Sequence, residues 1–193
     1  MESFSDTVRE LMMGFGFQEI LSFMMTNQDR QSAKMNRQPN NIVEISNPKV
    51  TTLTLLRSWL LPSLMEFLAS NTHVEYPQRV YEVGDCTVWD QTQPNRTRDL
   101  RKLACATTHA KANFTEMKAA LEPLMLNLGL DFTLNSVEHA SFLEGRVGSI
   151  LIGDKEVGII GEVHPGVLDN WKLEDPVAAM ELDLNRLYEL MER

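Results

Sequence analysis

Residues 142–165 read FLEGRVGSILIGDKEVGIIGEVHP, and at their centre two runs rich in β-branched residues, VGSILI and EVGIIGEV, flank Gly153-Asp154-Lys155. Gly-Asp supplies the positive φ and the twist that a tight reversal between strands demands, so the stretch predicts a β-hairpin. A second hairpin-like pair lies upstream, where strand-like residues 79–88 and about 101–108 flank the polar QTQPNRTRD at 91–99. Helical patterns are interspersed. Val8, Leu11, Met12 and Phe15 stand at i, i+3, i+4 and i+7, an apolar helical face closed by Gly14 and Gly16. Hairpins mixed with helices, in place of repeated βα units, predict an α+β fold, an antiparallel β-sheet flanked by helices.

Between these anchors the reading is coarser. QEILSFMMT (18–26) predicts a strand, 27–36 a polar, weakly helical excursion, and 42–45 a short strand. Ser58 is placed to cap a helix over 59–71, with Pro62 in its first turn. That helix carries Trp59, Leu60, Leu61, Leu64, Met65, Phe67 and Leu68, more apolar surface than one face holds. Burial on two sides follows, one of them against another chain. Asn113 and Glu116 give a partial capping signal for a helix that Pro123 is expected to kink or split. A short helix at Pro165–Trp171, a strand at 177–182 and a terminal helix at Leu184–Met191 complete the expectation.

The chain has 193 residues, enough for one domain with its own core, and its 43% hydrophobic and 23% charged residues are those of a soluble globular protein. No apolar run approaches the roughly 20 residues of a membrane span, and MESFSDTVRE lacks a signal peptide's layout. A cytoplasmic location is expected. The net charge of −9 opposes unaided attachment to phosphate backbones. Cys86 and Cys105 are too few for a disulfide framework and lack metal-ligand spacing, so buried thiols are expected.

A search for chemistry finds no phosphate loop, dinucleotide glycine fingerprint, nucleophile elbow or zinc-protease motif. His73, His109, His139 and His164 are scattered, and no metal, catalytic or cofactor-binding residue is proposed. Glu138, Glu144 and Glu162 read as solvated charges, and Gly145, Gly148, Gly158 and Gly161 as packing or bulge positions. Arg79 and Glu82, three apart on a strand, point to opposite faces and cannot grip one ligand.

GFGFQEILSFMMTN (14–27), Asn47-Pro48, Leu56-Arg57 with LLPSL (60–64), VYEVGD (80–85), GEVHP (161–165) and MELDLNRL (180–187) together resemble the C-terminal, catalytic-like module of the phenylalanyl-tRNA synthetase β subunit, of the archaeal and eukaryotic type. The resemblance implies the class II aminoacyl-tRNA synthetase fold. Catalytic members of that class carry an R-x-E pair on a strand and a later glycine-rich motif ending in arginine; here Arg79-Val80-Tyr81-Glu82 stands instead, and no arginine candidate is found after residue 165. It therefore implies a noncatalytic module supporting an α subunit that binds ATP, Mg²⁺ and phenylalanine and charges tRNA(Phe), within an α2β2 heterotetramer. The family's upstream editing and small metal-binding modules are absent from these residues, as expected of one domain, 1–193, taken from a longer protein. A surface for assembly is expected at Val8, Leu11, Met12, Phe15, Trp59, Leu60 and Leu64. The alternative expectation is a stand-alone ligase or small-molecule-binding paralogue on the same fold, and a third is a tRNA-binding module.

Overall fold

The computed structural model describes residues 1–191. In chain order the elements are α1 (Glu2–Gly14), β1 (Gln18–Glu19), β2 (Met25–Thr26), α2 (Gln28–Gln31) with a 3-10 turn at Ala33–Met35, β3 (Val43–Glu44) and β4 (Leu55–Leu56). There follow α3 (Leu61–Ser70), β5 (Gln78–Trp89), β6 (Thr97–Thr108), α4 (Phe114–Asn127), β7 (Thr133–Ser136), β8 (Phe142–Ile152), β9 (Lys155–Val163), α5 (Pro165–Trp171), β10 (Val177–Asp183) and α6 (Leu184–Met191).

The main sheet has the order β1-β5-β6-β10-β9-β8-β7. Every pairing in it is antiparallel except that of the two-residue β1 with β5. Both expected hairpins form, and the β5–β6 ladder runs from Gln78↔Thr108 to Trp89↔Thr97, which is longer than its sequence suggested. Gly153 takes φ +61° at the β8–β9 reversal, the left-handed conformation that made Gly-Asp a turn signal.

Side chains alternate across the sheet and build a core on each face. Tyr81, Leu103, Cys105, Ile160 and Met180 pack under α1, α4 and α6 with Phe4, Val8, Met12, Met117, Leu121 and Leu187. Their sequence neighbours Val80, Ala104, Ala106 and Ala179 lie on the other face, under Met35, Trp59, Leu60, Leu64, Val167 and Trp171. The small alanines of β6 and β10 let α3 settle close to the strands.

Several expectations are corrected. The strand expected over 18–26 is two short pieces: after Ile20 N–H donates to the Tyr81 carbonyl at 2.8 Å, the backbone leaves the main sheet and β2 joins a separate sheet ordered β2-β4-β3. Helix α4 runs unbroken through Pro123, with Asn113 capping it through Glu116 N–H at 3.0 Å as its sequence proposed. Strand β7 was not anticipated, because four residues, TLNS, with one partly buried apolar side chain carry almost no periodicity. No helix among the described residues is long and apolar enough to cross a membrane.

Gly158 of β9 faces β10, where an added Cβ would run into the Glu181 carbonyl oxygen and come within 2.7 Å of a Leu182 methyl. Gly158→Ala should lower stability by about 1–3 kcal/mol or more, because backbone on the clashing side cannot give way as a side chain would. Chemical denaturation of the two proteins measures this.

Candidate functional site

Strand β5 sends Arg79 and Glu82 to opposite faces. Arg79 lies on the α4 side, where its Nη2 meets the Glu116 carboxylate at 2.8 Å. Glu82 is fully buried on the α3 side and pairs with Arg57 at 2.8 Å. The divergence read from their spacing is thus present in the fold, and each side chain has its own partner.

Arg57 enters this cluster from the segment just after β4. Its Nε donates to the Asp85 carbonyl at 2.8 Å and its Nη1 to Ser22 Oγ at 2.7 Å, while Ser22 Oγ donates to Glu82 at 2.5 Å. A side chain at Gly84 would collide with the Arg57 guanidinium, so the strand carries glycine where the arginine crosses it. Thr87 N–H donates to the Arg57 carbonyl at 2.8 Å. These bonds fasten the 55–58 segment to the sheet, and with it the start of α3.

The second cluster is centred on Glu181, which sits buried in the middle of the main sheet. One carboxylate oxygen accepts from Leu60 N–H and Leu61 N–H at 2.9 and 3.0 Å; the other accepts from Lys102 Nζ at 2.8 Å. The expected Ser58 cap is not made: α3 begins at Leu61 without a capping side chain from its own segment, and Glu181 satisfies its first donors from 120 residues away in sequence. Lys102 also donates to the Ser58 carbonyl at 3.1 Å. Burial, the largest single effect, would lower the Lys102 pKa, yet the charge and hydrogen bond of Glu181, with Cys86 and Asp183 nearby, together hold it above the usual lysine range.

A cavity of about 400 Å³ opens over this cluster. Arg37, Lys102 and Arg186 line it against Glu156, Glu181 and Asp183, so the formal charges cancel and no net positive field awaits a polyphosphate. Asp183 receives Arg186 at 3.5 Å, and Arg186 donates to the Glu156 carbonyl at 2.7 Å. Trp59 forms part of the wall, with the Arg37 guanidinium 4.5 Å from its ring centre. His139 lies beside both, its pKa pushed down to about 4 by burial and by the Arg37 charge, against an opposing pull from Glu181. Its ring is a neutral, uncharged wall at ordinary pH.

The residues expected at an assembly surface divide. Val8, Met12, Trp59, Leu60 and Leu64 are buried in the chain's own two cores, which corrects their assignment to an interface. The physical reason is that α3 lies between the main sheet, α2 and α5, so its apolar excess is covered within one chain. Leu11 and Phe15 remain half-exposed against the α1-side core. The exposed apolar side chains are elsewhere: Leu21 is 92% and Phe23 82% exposed, and Met25 follows them at the same spacing of two. Glu162, read as a solvated acid, accepts from Phe114 N–H at 2.8 Å at the start of α4. Cys86 and Cys105 are free and buried, and burial pushes both thiols up.

Glu181 and Lys102 were missed as site residues. Their signal was present as a charge inside an apolar strand, AAMEL and RKLACA, but only the fold shows that the two face one another.

The fold is that of class II aminoacyl-tRNA synthetases: pyrrolysyl-tRNA synthetase from Desulfitobacterium hafniense superposes with a TM-score of 0.80 over 98% of this chain and 68% of its own, at 16% identity. Residues 1–184 match the model of the phenylalanyl tRNA synthetase beta chain CLM domain, and the chain belongs to that family. It is 50% identical over 188 residues to the phenylalanine–tRNA ligase beta subunit of Pyrococcus abyssi, covering 97% of this chain and 34% of that protein. With the beta subunit of Methanocaldococcus jannaschii it shares 38% identity, over 95% of this chain and 34% of that one. The chain thus spans about a third of the length of these relatives, and their character as β subunits disfavours a stand-alone paralogue.

Replacing Lys102 by Met should strip Glu181 of its counter-ion and cost about 3–5 kcal/mol in urea unfolding, as breaking one half of a buried pair does. Adding Glu181→Gln should recover part of that loss, giving a coupling energy above about 1 kcal/mol. His139 supplies a pH signature. Its folded pKa of about 4 lies below the ordinary 6.5, so the unfolded chain binds the proton more readily and stability falls as pH drops from about 6.5 through 4. His139→Gln should flatten the stability curve across that window.

Proposed function

We propose that this domain is the noncatalytic assembly module of a phenylalanine–tRNA ligase β subunit, supporting an α subunit that activates phenylalanine with ATP and Mg²⁺ and charges tRNA(Phe). The observation that carries this reading is the use made of the acids and bases on the α3 face. Glu181 caps a helix and neutralises Lys102, while Glu82 holds Arg57. Groups spent in this way hold the fold, and most of their bonding capacity is used within the chain. The module itself takes no cofactor in this reading, and it works in the cytoplasm as part of an α2β2 complex.

The surface offered to the α subunit is the segment between β1 and β2. Leu21 and Phe23 extend almost entirely into solvent on a stretch anchored at one end to the main sheet and at the other to the small one. Large apolar side chains held out by fixed backbone are an interface's expense unless a partner covers them. Leu11, Phe15 and Met25 extend the same apolar character with partial exposure.

Purified alone, the chain should show no phenylalanine-dependent ATP–pyrophosphate exchange. Co-expressed with the α subunit of its own ligase, it should co-elute on sizing. Leu21→Asp with Phe23→Asp should abolish co-elution while leaving the isolated chain's melting midpoint within a few degrees of the parent, since both positions are exposed. Exchange by the chain alone, or unimpaired assembly of the double variant, would overturn the reading.

A further inference from the structure

The internal pairing of the cavity beside α3 leaves over one cation, Arg37, and one anion, Glu156. Of the cations lining it, Lys102 is bonded to Glu181 and Arg186 faces Asp183, but Arg37 enters no ion pair among the described residues. Glu181 makes no direct bond to it, its carboxylate accepting from Leu60 N–H, Leu61 N–H and Lys102 Nζ. Instead the Arg37 guanidinium stacks at 4.5 Å over the Trp59 ring, half-buried. Burial lowers its affinity for its proton, and the attraction of Glu181 only partly offsets that.

The Arg37 guanidinium, its Cζ 4.5 Å from the centre of the Trp59 ring, presents the edge of a planar fork of N–H donors that enters no ion pair among the described residues. That edge is the complement of a carboxylate or phosphoryl oxyanion, which it receives through two parallel hydrogen bonds. The rim carries the Asn40 and Asn41 amides, further donors for such a head group, and the walls beyond include Val88 and Ile159. About 400 Å³ is within the range of small-molecule sites.

We propose that this cavity binds a small oxyanion-headed molecule, its carboxylate or phosphoryl group held by Arg37 above Trp59. The site is distinct from the assembly surface at Leu21 and Phe23, and its occupancy does not depend on the module's being noncatalytic. The neutral His139 ring adds no competing charge.

The test uses the whole chain, ¹⁵N-labelled, titrated separately with benzoate and with inorganic phosphate. Expected are saturable shifts of the Trp59 indole and of the Asn40 and Asn41 side-chain amides, with half-saturation at or below roughly 10 mM for one of the probes. A stronger response to benzoate assigns a carboxylate with an apolar body; a stronger response to phosphate assigns a phosphoryl group. Arg37→Gln should weaken binding about tenfold or more, and Arg37→Lys, which keeps the charge and loses the fork, should weaken it less. Arg79→Gln, on the opposite face of the sheet and paired with Glu116, should leave binding within about twofold. Shifts that stay linear to the highest concentration with both probes, or equal binding by both Arg37 variants and the parent, would overturn the proposal. Should Arg37→Gln fail to fold, the Arg37→Lys titration decides alone.

Discussion

The carboxylate of Glu181 joins the two halves of the α3 face. It lies on the central strand of an antiparallel sheet, where an unpaired charge would cost several kcal/mol, and it is tolerated because three protein groups donate to it. Two are backbone N–H groups at the start of α3, and the third is the Lys102 ammonium, which also donates to the Ser58 carbonyl. The helix could not begin where it does without an acceptor for those donors. The strand could not carry the acid without the helix and the lysine. Sheet and helix are therefore fixed to each other by a bond that is polar, buried and directional, within a layer otherwise held by non-directional apolar contact.

Arg57 repeats this arrangement one turn earlier in the chain. Glu82 on β5 and Ser22 on the exposed connection bind the same guanidinium, so the segment leading into α3, the main sheet and the stretch bearing Leu21 and Phe23 share one rigid junction. The proposed assembly surface thus begins at a residue, Ser22, that is hydrogen-bonded into the buried cluster. Apolar side chains displayed from an anchored backbone lose little conformational freedom when a partner covers them, which favours association. Arg57, Glu82 and Ser22 are thus absorbed into holding that display.

Much of the fold was legible before any coordinates. The Gly153-Asp154 reversal, the 177–183 strand, the Asn113 cap and the terminal helix all rest on local rules, and each formed where local rules placed it. The opposite orientations of Arg79 and Glu82 followed from strand periodicity alone. Errors fell where a residue's fate depends on distant chain. Trp59, Leu60 and Leu64 were read as too apolar for one chain to cover, since sequence does not count the layers that will stack on a helix. Ser58 was read as a cap because its identity and position fit, whereas a carboxylate from β10 took the role. The 18–26 run was read as one strand because it is a largely apolar run, yet its backbone leaves the main sheet after Ile20 and joins the small one at Met25.

Sequence by itself determined the α+β class, the two long hairpins, most of the helices and the family, because these follow from side-chain periodicity, turn chemistry and residue identity, all of which are properties of neighbours along the chain. Tertiary structure alone decided that Glu181 and Lys102 meet, that Arg57 pairs with Glu82, that Leu21 and Phe23 stay uncovered and that Arg37 forms no ion pair among the described residues. The reason is physical: burial and pairing energies depend on distance in space, and residues as far as 121 positions apart, as Leu60 and Glu181 are, reach bonding distance only after the strands have been ordered in the sheet.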